Sequence, residues 1–356
     1  MPAPGTFPTT FYSQWTTTPR LDPKLSFTGQ TIIVTGSNVG LGFHAAQQIA
    51  QRGASKVILA VRSVSKGETA AQAIRHSFPP SSRESTIVEV WPLDLSLYQS
   101  VKDFAARAIN ELDRLDVLLA NAGVAKLNFE LVSEPEDGGE PDEVSIKTNV
   151  LSTTLLALLL IPKLKETAVE YGITPRLTFT SSEMAFVAKF GEWKAARGKV
   201  FGKDGGLADP TKPDMMDRYQ LSKFLELVAV REIALRISST STASRPLVIV
   251  NAPTPGYCAS SLERDVDGLL LHVAVGLLGF VMHKRKPEVG ARTLVHAAGS
   301  AGVESHGMFL RDCKVYPFPL DHNKGPWGDE KTLRKRVWAE IMEKLERIVP
   351  GISSSI

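Results

Sequence analysis

The 356-residue chain is poor in sulfur, modest in aromatics and nearly balanced in charge. Its two cysteines, Cys258 and Cys313, cannot build a disulfide framework and stand in no metal-ligand spacing. That scarcity points to a reducing, cytoplasmic setting and to no bound metal. A formal net charge of +3, dispersed along the chain, argues against nucleic acid or an acidic membrane as partner. Long apolar runs are missing too. The longest, Gly268 to Met282, spans about 15 residues and contains His272, short of the ~20 needed to cross a bilayer. The first residues, Met1 to Pro8, lack the basic region and apolar core of a secretory signal. No internal repeat is visible.

What is present is strand–helix alternation that never pauses long enough to mark a second domain. At 43% hydrophobic and 22% charged residues, the chain can bury a sizeable core. The sequence predicts one α/β domain, a doubly wound parallel sheet of about seven strands with helices on both faces. Its expected limits are residues 29–315. A Pro/Thr/Ser-rich extension (1–28), irregular and held to the surface by Phe11, Tyr12 and Trp15, precedes it, and a tail with a charged helix (316–356) follows.

The organising stretch is Thr35-Gly36-Ser37-Asn38-Val39-Gly40-Leu41-Gly42. It joins an apolar strand, Thr31 to Val34, to a helix with apolar residues at 3–4 spacing. Gly36 allows a tight exit from the strand, while Gly40 and Gly42 remove side chains where a pyrophosphate or a neighbouring strand comes close. The helix N-terminus then offers free N–H groups and partial positive charge. Strand two is expected at Lys56–Val61, with Arg62 just past its tip. An acid there would favour a free ribose 2′-hydroxyl and an arginine a 2′-phosphate, so NADP(H) is expected, with NADPH preferred over NADH. Strand three, Thr86 to Trp91, leads to Asp94, which can cap the next helix or accept from an adenine amino group. Strand four ends in Asn121-Ala122-Gly123, whose small residues suit a nicotinamide ribose.

Residues 126–143 read as an acidic surface excursion. The helix after it, Val144 to about Val169, carries Asn149 and the run Leu155 to Ile161, apolar nearly all round. Either a partner helix in a homodimer or the chain's own C-terminal segments would cover it. Strand five, Arg176–Thr180, closes on Ser181-Ser182. A Gly/Pro-rich segment, 189–217, has the composition of a lid. Tyr219 and Lys223 then fall four apart on one helix face. A phenol with a pKa near 10 is a poor base at neutral pH, and a neighbouring ammonium stabilises the phenolate. Such a pair can serve as general acid and base, with the Ser182 hydroxyl on the substrate oxygen. Strand six, Leu247–Val250, is followed by Pro255-Gly256. The apolar helix Leu269–Met282 reads as a substrate wall, a core helix or a membrane-surface helix. A further helix at Pro287–Gly299, a strand at Met308–Leu310 and a helix at Asp329–Ile348 complete the chain.

These pieces, in this order, resemble the short-chain dehydrogenase/reductase family over roughly residues 29–312. Thr35-Gly36-x3-Gly40-x-Gly42, Asp94, Asn121-Ala122-Gly123, Asn149, Ser182, Tyr219-x3-Lys223 and Pro255-Gly256 carry the resemblance. Leu59-Ala60-Val61-Arg62-Ser63-x2-Lys66-Gly67 is similar to the retinol-dehydrogenase-like branch, which mostly uses NADP(H). The whole looks like fungal reductases that tailor secondary metabolites. The resemblance implies a Rossmann fold and hydride transfer between NADP(H) and a carbonyl or alcohol carbon of an apolar small molecule. It implies Tyr219 as general acid/base, Lys223 as ribose ligand lowering the Tyr219 pKa, Ser182 rather than Ser181 as substrate anchor, and Asn149 holding a relay water. Ser260 falls where a Thr often contacts the cofactor carboxamide. The oxidising direction, and a redox-silent or cyclising use of the same pocket, stay open, as does monomer against homodimer. The Ser182–Tyr219 gap exceeds the family's usual dozen or so residues, and the extra stretch is the expected lid.

Overall fold

The computed structural model describes residues 7–78, 86–135, 140–195, 198–211, 213–240, 247–259, 283–322 and 328–356. Eight strands form one sheet: β1 (Thr31–Thr35), β2 (Lys56–Val61), β3 (Ile87–Pro92), β4 (Val117–Ala120), β7 (Arg176–Phe179), β8 (Ile249–Thr254), β9 (Met308–Arg311) and β10 (Lys314–Tyr316). Their spatial order is β10-β9-β8-β7-β4-β1-β2-β3. All neighbours run parallel except the β9–β10 edge pair. The order reverses between β1 and β4, so the carboxyl ends of those strands open a crevice there.

Period-two alternation builds the two core layers. From β1, Ile32 and Val34 enter one layer while Ile33 enters the other. The first layer packs against α2 (Gly40–Ala50), α3 (Val64–His76) and α7 (Pro287–Gly299). The second takes α4 (Tyr98–Glu111), the continuous helix α5 (Val144–Tyr171) and α6 (Met215–Thr240). Its outer side is closed by α8 (Glu330–Ile348), whose Leu333, Val337, Trp338, Ile341 and Leu345 share that core.

Helix α5 is long and apolar enough to cross a membrane, yet 94% of its most apolar window is buried inside the fold. Leu155, Leu158, Leu160, Ile161 and Leu164 have no exposed surface. The chain itself covers them: α4 packs alongside, and the C-terminal turn Ile352–Ser355 lies on the helix, with Lys165 Nζ donating to the Ser355 carbonyl at 3.1 Å. Of the two coverings open to the sequence, the chain's own segments do the work.

Several expectations need correction. The N-terminal extension is irregular only in part: Phe7–Thr16 is a helix, α1. Residues 126–143 are more than a surface excursion, because β5 (Leu131–Val132) and β6 (Asp142–Glu143) pair there as a small hairpin. Of its acids, Asp142 and Glu134 point inward while Glu130 and Glu140 stay exposed. Asp142, 3% exposed, accepts from Tyr98 Oη (2.9 Å) and Lys344 Nζ (2.6 Å), and Glu134 pairs with the fully buried Lys147 at 2.6 Å. Acidic composition read as solvated; each of these acids has a cation or phenol supplied from elsewhere in the chain. Strand β8 starts two residues later and runs to Thr254, since Pro253 can sit where no N–H is demanded. Strand β10 and the hairpin raise the strand count above seven.

Candidate active site

A cleft of about 970 Å³ opens along the carboxyl ends of the strands. At one end lies the glycine loop. Gly36 has φ +65°, and a Cβ there would come within 2.9 Å of Ala122 Cα. A Cβ on Gly42 would sit 2.5 Å from both Asn121 Nδ2 and the Gly36 carbonyl, so the β1 and β4 tips can approach only because it is glycine. Beside Gly40 the cleft is open. Asn121 completes this clamp. Its Nδ2 donates to the Thr35 carbonyl (3.0 Å), and Thr35 Oγ1 accepts from the N–H groups of Asn121 and Ala122 (2.9 Å each). Helix α2 starts behind Val39, which provides no side-chain cap. Its first N–H groups are thus left for an anion.

Asn38, Leu41, Arg62, Ser63, Lys66, Asp94, Gly123, Pro255 and Gly256 line the same cleft, and Arg62 is exposed past the tip of β2. No carboxylate occupies that tip. Asp94 caps a turn: its Oδ1 accepts from Ser96 N (2.9 Å) and Ser96 Oγ (2.7 Å). Ser37 is buried beneath the loop, its hydroxyl donating to the Val34 carbonyl at 2.8 Å, so it supports the loop from below. The residues therefore fit a dinucleotide: an uncapped helix end, backbone that can approach closely, and a cation at the adenosine side. Ser260 and the Leu269–Met282 segment lie outside the described residues.

Ser182 and Tyr219 meet near the other end of the cleft, close enough that the Ser182 hydroxyl acts on the Tyr219 phenol. Ser181, by contrast, is buried, and its hydroxyl has no partner among the described residues. One turn along α6 from Tyr219, Lys223 Nζ donates to the Thr180 carbonyl (2.7 Å) and to Glu226 Oε2 (2.8 Å). Asn149 sits in a π-helical turn of α5, Lys147–Ser152, a distortion frequent at functional sites. Its side chain makes three hydrogen bonds to protein. Oδ1 accepts from Val124 N (2.8 Å), and Nδ2 donates to the Val124 carbonyl (2.8 Å) and Ser222 Oγ (2.9 Å). That amide braces the loop after β4 against α6.

Burial pushes the Tyr219 phenol above its ordinary value, and Lys223 and the Ser182 hydroxyl only partly offset this while Glu226 adds to it. Burial alone would lower Lys223, but Glu226 and Tyr219 carry it above the usual lysine value. Lys223 does pull the phenol down, as expected, but burial outweighs that pull and the net displacement is upward. Burial also drives the Cys258 thiol up to about 12, although Arg285 and Lys284 oppose it, so this cleft-lining cysteine is no nucleophile.

Three participants escaped the sequence reading. Glu226 had only a Lys-x-x-Glu helix spacing to announce it. Glu183, beside Ser182, lines the cleft with its carboxylate held by Arg311 at 2.8 Å and by the Thr10 side chain. Thr10 itself lines the cleft from α1. Gln14 Nε2 donates to the Tyr257 carbonyl (2.8 Å), and Arg285 donates to the Thr17 carbonyl (2.9 Å), tying α1 to the loop after β8.

Among the described residues, none of the 189–217 segment lines the cleft. Lys189 and Phe190 donate their N–H groups to the Asp217 carboxylate (3.0 Å), and Phe201 N donates to Glu340 of α8 at 3.2 Å. Phe190, Val200, Phe201 and Leu207 enter the second core layer. These four anchors outweigh the polar, glycine-rich composition that read as a lid.

Fold and cleft together define a nicotinamide-dependent oxidoreductase acting on small molecules. The short chain dehydrogenase family profile matches residues 30–192. A short chain dehydrogenase/reductase of Cryptosporiopsis sp., dmxR8, is 39% identical over 94% of this chain and 95% of its own. The short chain dehydrogenase atnD of Emericella nidulans is 39% identical over 85% of this chain and 89% of its own. This chain belongs to the short-chain dehydrogenase/reductase family. Among solved structures, the RhlG/NADP complex of Pseudomonas aeruginosa aligns with TM-score 0.57 at 20% identity, covering 82% of this chain and 97% of that one. The L-sorbose reductase of Gluconobacter frateurii, complexed with NADPH and L-sorbose, aligns with TM-score 0.56 at 16% identity over 80% and 95%. Both likenesses concern the fold.

Proposed function

We propose that this protein is an NADPH-dependent reductase of a ketone or aldehyde on an apolar small molecule. The observation that carries the reading is that Ser182, Tyr219 and Lys223 converge in one cleft with the glycine loop. Bound nicotinamide supplies the hydride to the carbonyl carbon. The chain's own residues do the rest. Ser182 orients the carbonyl oxygen, and Tyr219 Oη releases its proton to that oxygen. Lys223, one turn on, faces the ribose side and stabilises the phenolate left behind.

Gly36, Asn38, Gly40, Leu41 and Gly42 would cradle the pyrophosphate, with Ser37 supporting them. Asp94 would meet the adenine, Asn121, Ala122 and Gly123 the ribose of the nicotinamide, and Pro255 and Gly256 the nicotinamide itself. Arg62 is the group proposed for the 2′-phosphate. Met184, Val187, Val132 and Val144 give the remaining cleft an apolar wall. That wall, with the likeness to fungal relatives, supports a specialised metabolite as substrate.

Titration with NADPH and NADH by nicotinamide fluorescence, wild type against Arg62→Ala, tests the cofactor assignment. Wild type is expected to bind NADPH tighter by about tenfold or more, and the substitution to abolish that preference, a loss of about 1.4 kcal/mol. Equal or tighter NADH binding in the wild type would overturn it.

A further inference from the structure

The apolar wall at the substrate end is interrupted by a carboxylate. Glu183 follows Ser182 directly, at the start of a tight helical turn (Glu183–Val187), and lines the cleft together with Met184 and Val187 of that turn. Ser182 Oγ accepts from Met184 N at 3.2 Å, so the same turn fixes the substrate anchor and its neighbour. The other carboxylates among the described cleft residues lie in different settings. Asp94 caps its own turn at the adenosine end, and Glu130 is exposed to solvent, 3.9 Å from Lys126. The Glu183 side chain, by contrast, is 10% exposed.

Arg311 Nη1 donates to Glu183 Oε1 at 2.8 Å, Arg311 Nε lies 3.6 Å from Asp312, and Asp312 meets Arg285 at 2.7 Å. Two acids and two guanidiniums thus balance. The cluster has no net charge with which to draw in a cation, and the carboxylate at its cleft side repels an anion. A carboxylate can accept about four hydrogen bonds, and Arg311 and Thr10 use only part of that capacity. Burial lifts the Glu183 carboxyl above its ordinary value, and Arg311 offsets this only in part. The carboxylate is therefore short of the hydrogen bonds that water would give it, and one more donor in the cleft would stabilise it. Both its partners also lie outside residues 30–192, the stretch matched by the family profile: Thr10 precedes it and Arg311 follows it.

We propose that Glu183 is a substrate-binding residue whose carboxylate accepts a hydrogen bond from a neutral hydroxyl, carried on the same apolar skeleton as the carbonyl that Ser182 holds. The substrate class is then a hydroxylated ketone or aldehyde. No bond is made or broken at Glu183. Anchors on two adjacent residues fix the carbonyl towards Tyr219, where a single anchor would let an apolar skeleton turn against its wall. The inference rests on the reductase reading for the carbonyl, while the hydroxyl contact can be read from binding alone.

The probes are α-tetralones carrying a hydroxyl at each ring position in turn, with the matching methyl ethers and aminomethyl compounds. In the wild type with NADPH, the best hydroxytetralone should exceed its methyl ether in kcat/KM by about tenfold to a hundredfold, as a hydrogen bond to a charged group gives. Glu183→Leu, which removes the acceptor, should bring that ratio close to one. Should that variant fail to fold, Glu183→Gln keeps the shape with a neutral acceptor. It should retain roughly the square root of the ratio, since a charge-assisted bond is about twice as strong as a neutral one. A wild-type ratio near one, or a ratio unchanged by the substitutions, overturns the proposal, while turnover of the tetralones leaves the reductase reading standing. Preference for the aminomethyl compound over the hydroxyl overturns it too, because the carboxylate then acts as an unbalanced charge. Failure of all turnover counts against the reductase reading, and calorimetric binding of the same pairs to the NADPH-loaded protein then decides on Glu183. A hydroxyl preference that Glu183→Leu abolishes upholds the contact, and equal binding of the pairs overturns it.

Discussion

The two halves of the sheet hold their ends of the cleft by different means. Around β1, β2 and β4 the site is made of backbone: glycines at close approach, an uncapped helix end, and Asn121 bonded to main-chain carbonyls. Around β7, β8 and β9 it is made of side chains brought from far along the chain. Glu183 meets Arg311 and Thr10, Arg285 reaches the carbonyl of Thr17, and Arg218 meets Glu143 and Glu192. Backbone recognition suits a ligand common to a whole family, since it tolerates little change. Side-chain recognition can be rebuilt residue by residue, which is where a substrate preference must reside.

The difference can be broken most forcefully at Arg218, the residue before Tyr219. It is 1% exposed, 3.2 Å from Glu192 and 3.8 Å from Glu143. Arg218→Met strands two buried carboxylates, and denaturant unfolding should show a loss of about 3–5 kcal/mol. A loss below about 1 kcal/mol would mean the acids are protonated or reach water. Burial raises the pKa of both acids despite Arg218, so they bind protons more readily folded than unfolded. Their contribution to stability is present below the ordinary carboxylate range and is lost as pH rises through their folded values. The Arg218→Met deficit should therefore shrink on acidification.

At the cofactor end, Gly42→Ala places a methyl 2.5 Å from Asn121 Nδ2 and the Gly36 carbonyl. The obstruction is backbone, so the loop must move, and NADPH affinity should fall by about tenfold or more, with a stability cost of about 1–3 kcal/mol. Calorimetric titration showing wild-type affinity would detach the loop from cofactor binding. The smallest effect should come from Thr10→Val, which deletes one hydrogen bond to Glu183 at the substrate end. Substrate KM should rise about three- to tenfold, with the Kd for NADPH unchanged. Equal effects on both constants would show that α1 serves the whole cleft rather than its substrate end.

The same division separates what was legible in advance from what was not. β2 was expected at Lys56–Val61 and α7 at Pro287–Gly299, and both lie there. Each is bounded by local signals, Gly53 before the one and Pro287 at the first turn of the other. The glycine loop, Asn121-Ala122-Gly123, Ser182, Tyr219 and Lys223 were legible because each sits at a strand end or on a helix turn. β10 was missed because its turn uses Asp312 and Cys313, at φ +52° and +62°, where a recognisable hairpin signal would have glycine or asparagine. α1 was missed because its two buried polar residues, Ser13 and Gln14, are satisfied by Asp312 and by the Tyr257 carbonyl, hundreds of positions away.

Sequence by itself determined the strand–helix alternation, the family and the residues that converge on the cleft, because periodicity, capping and close backbone approach are properties of a few neighbouring residues. Tertiary structure alone decided that the 189–217 segment packs on α8, that the chain covers its own α5, and that Lys223 shares its charge with Glu226. Burial and electrostatic coupling depend on what surrounds a group in space, and for these groups much of that surrounding is set by folding rather than by their neighbours in the chain.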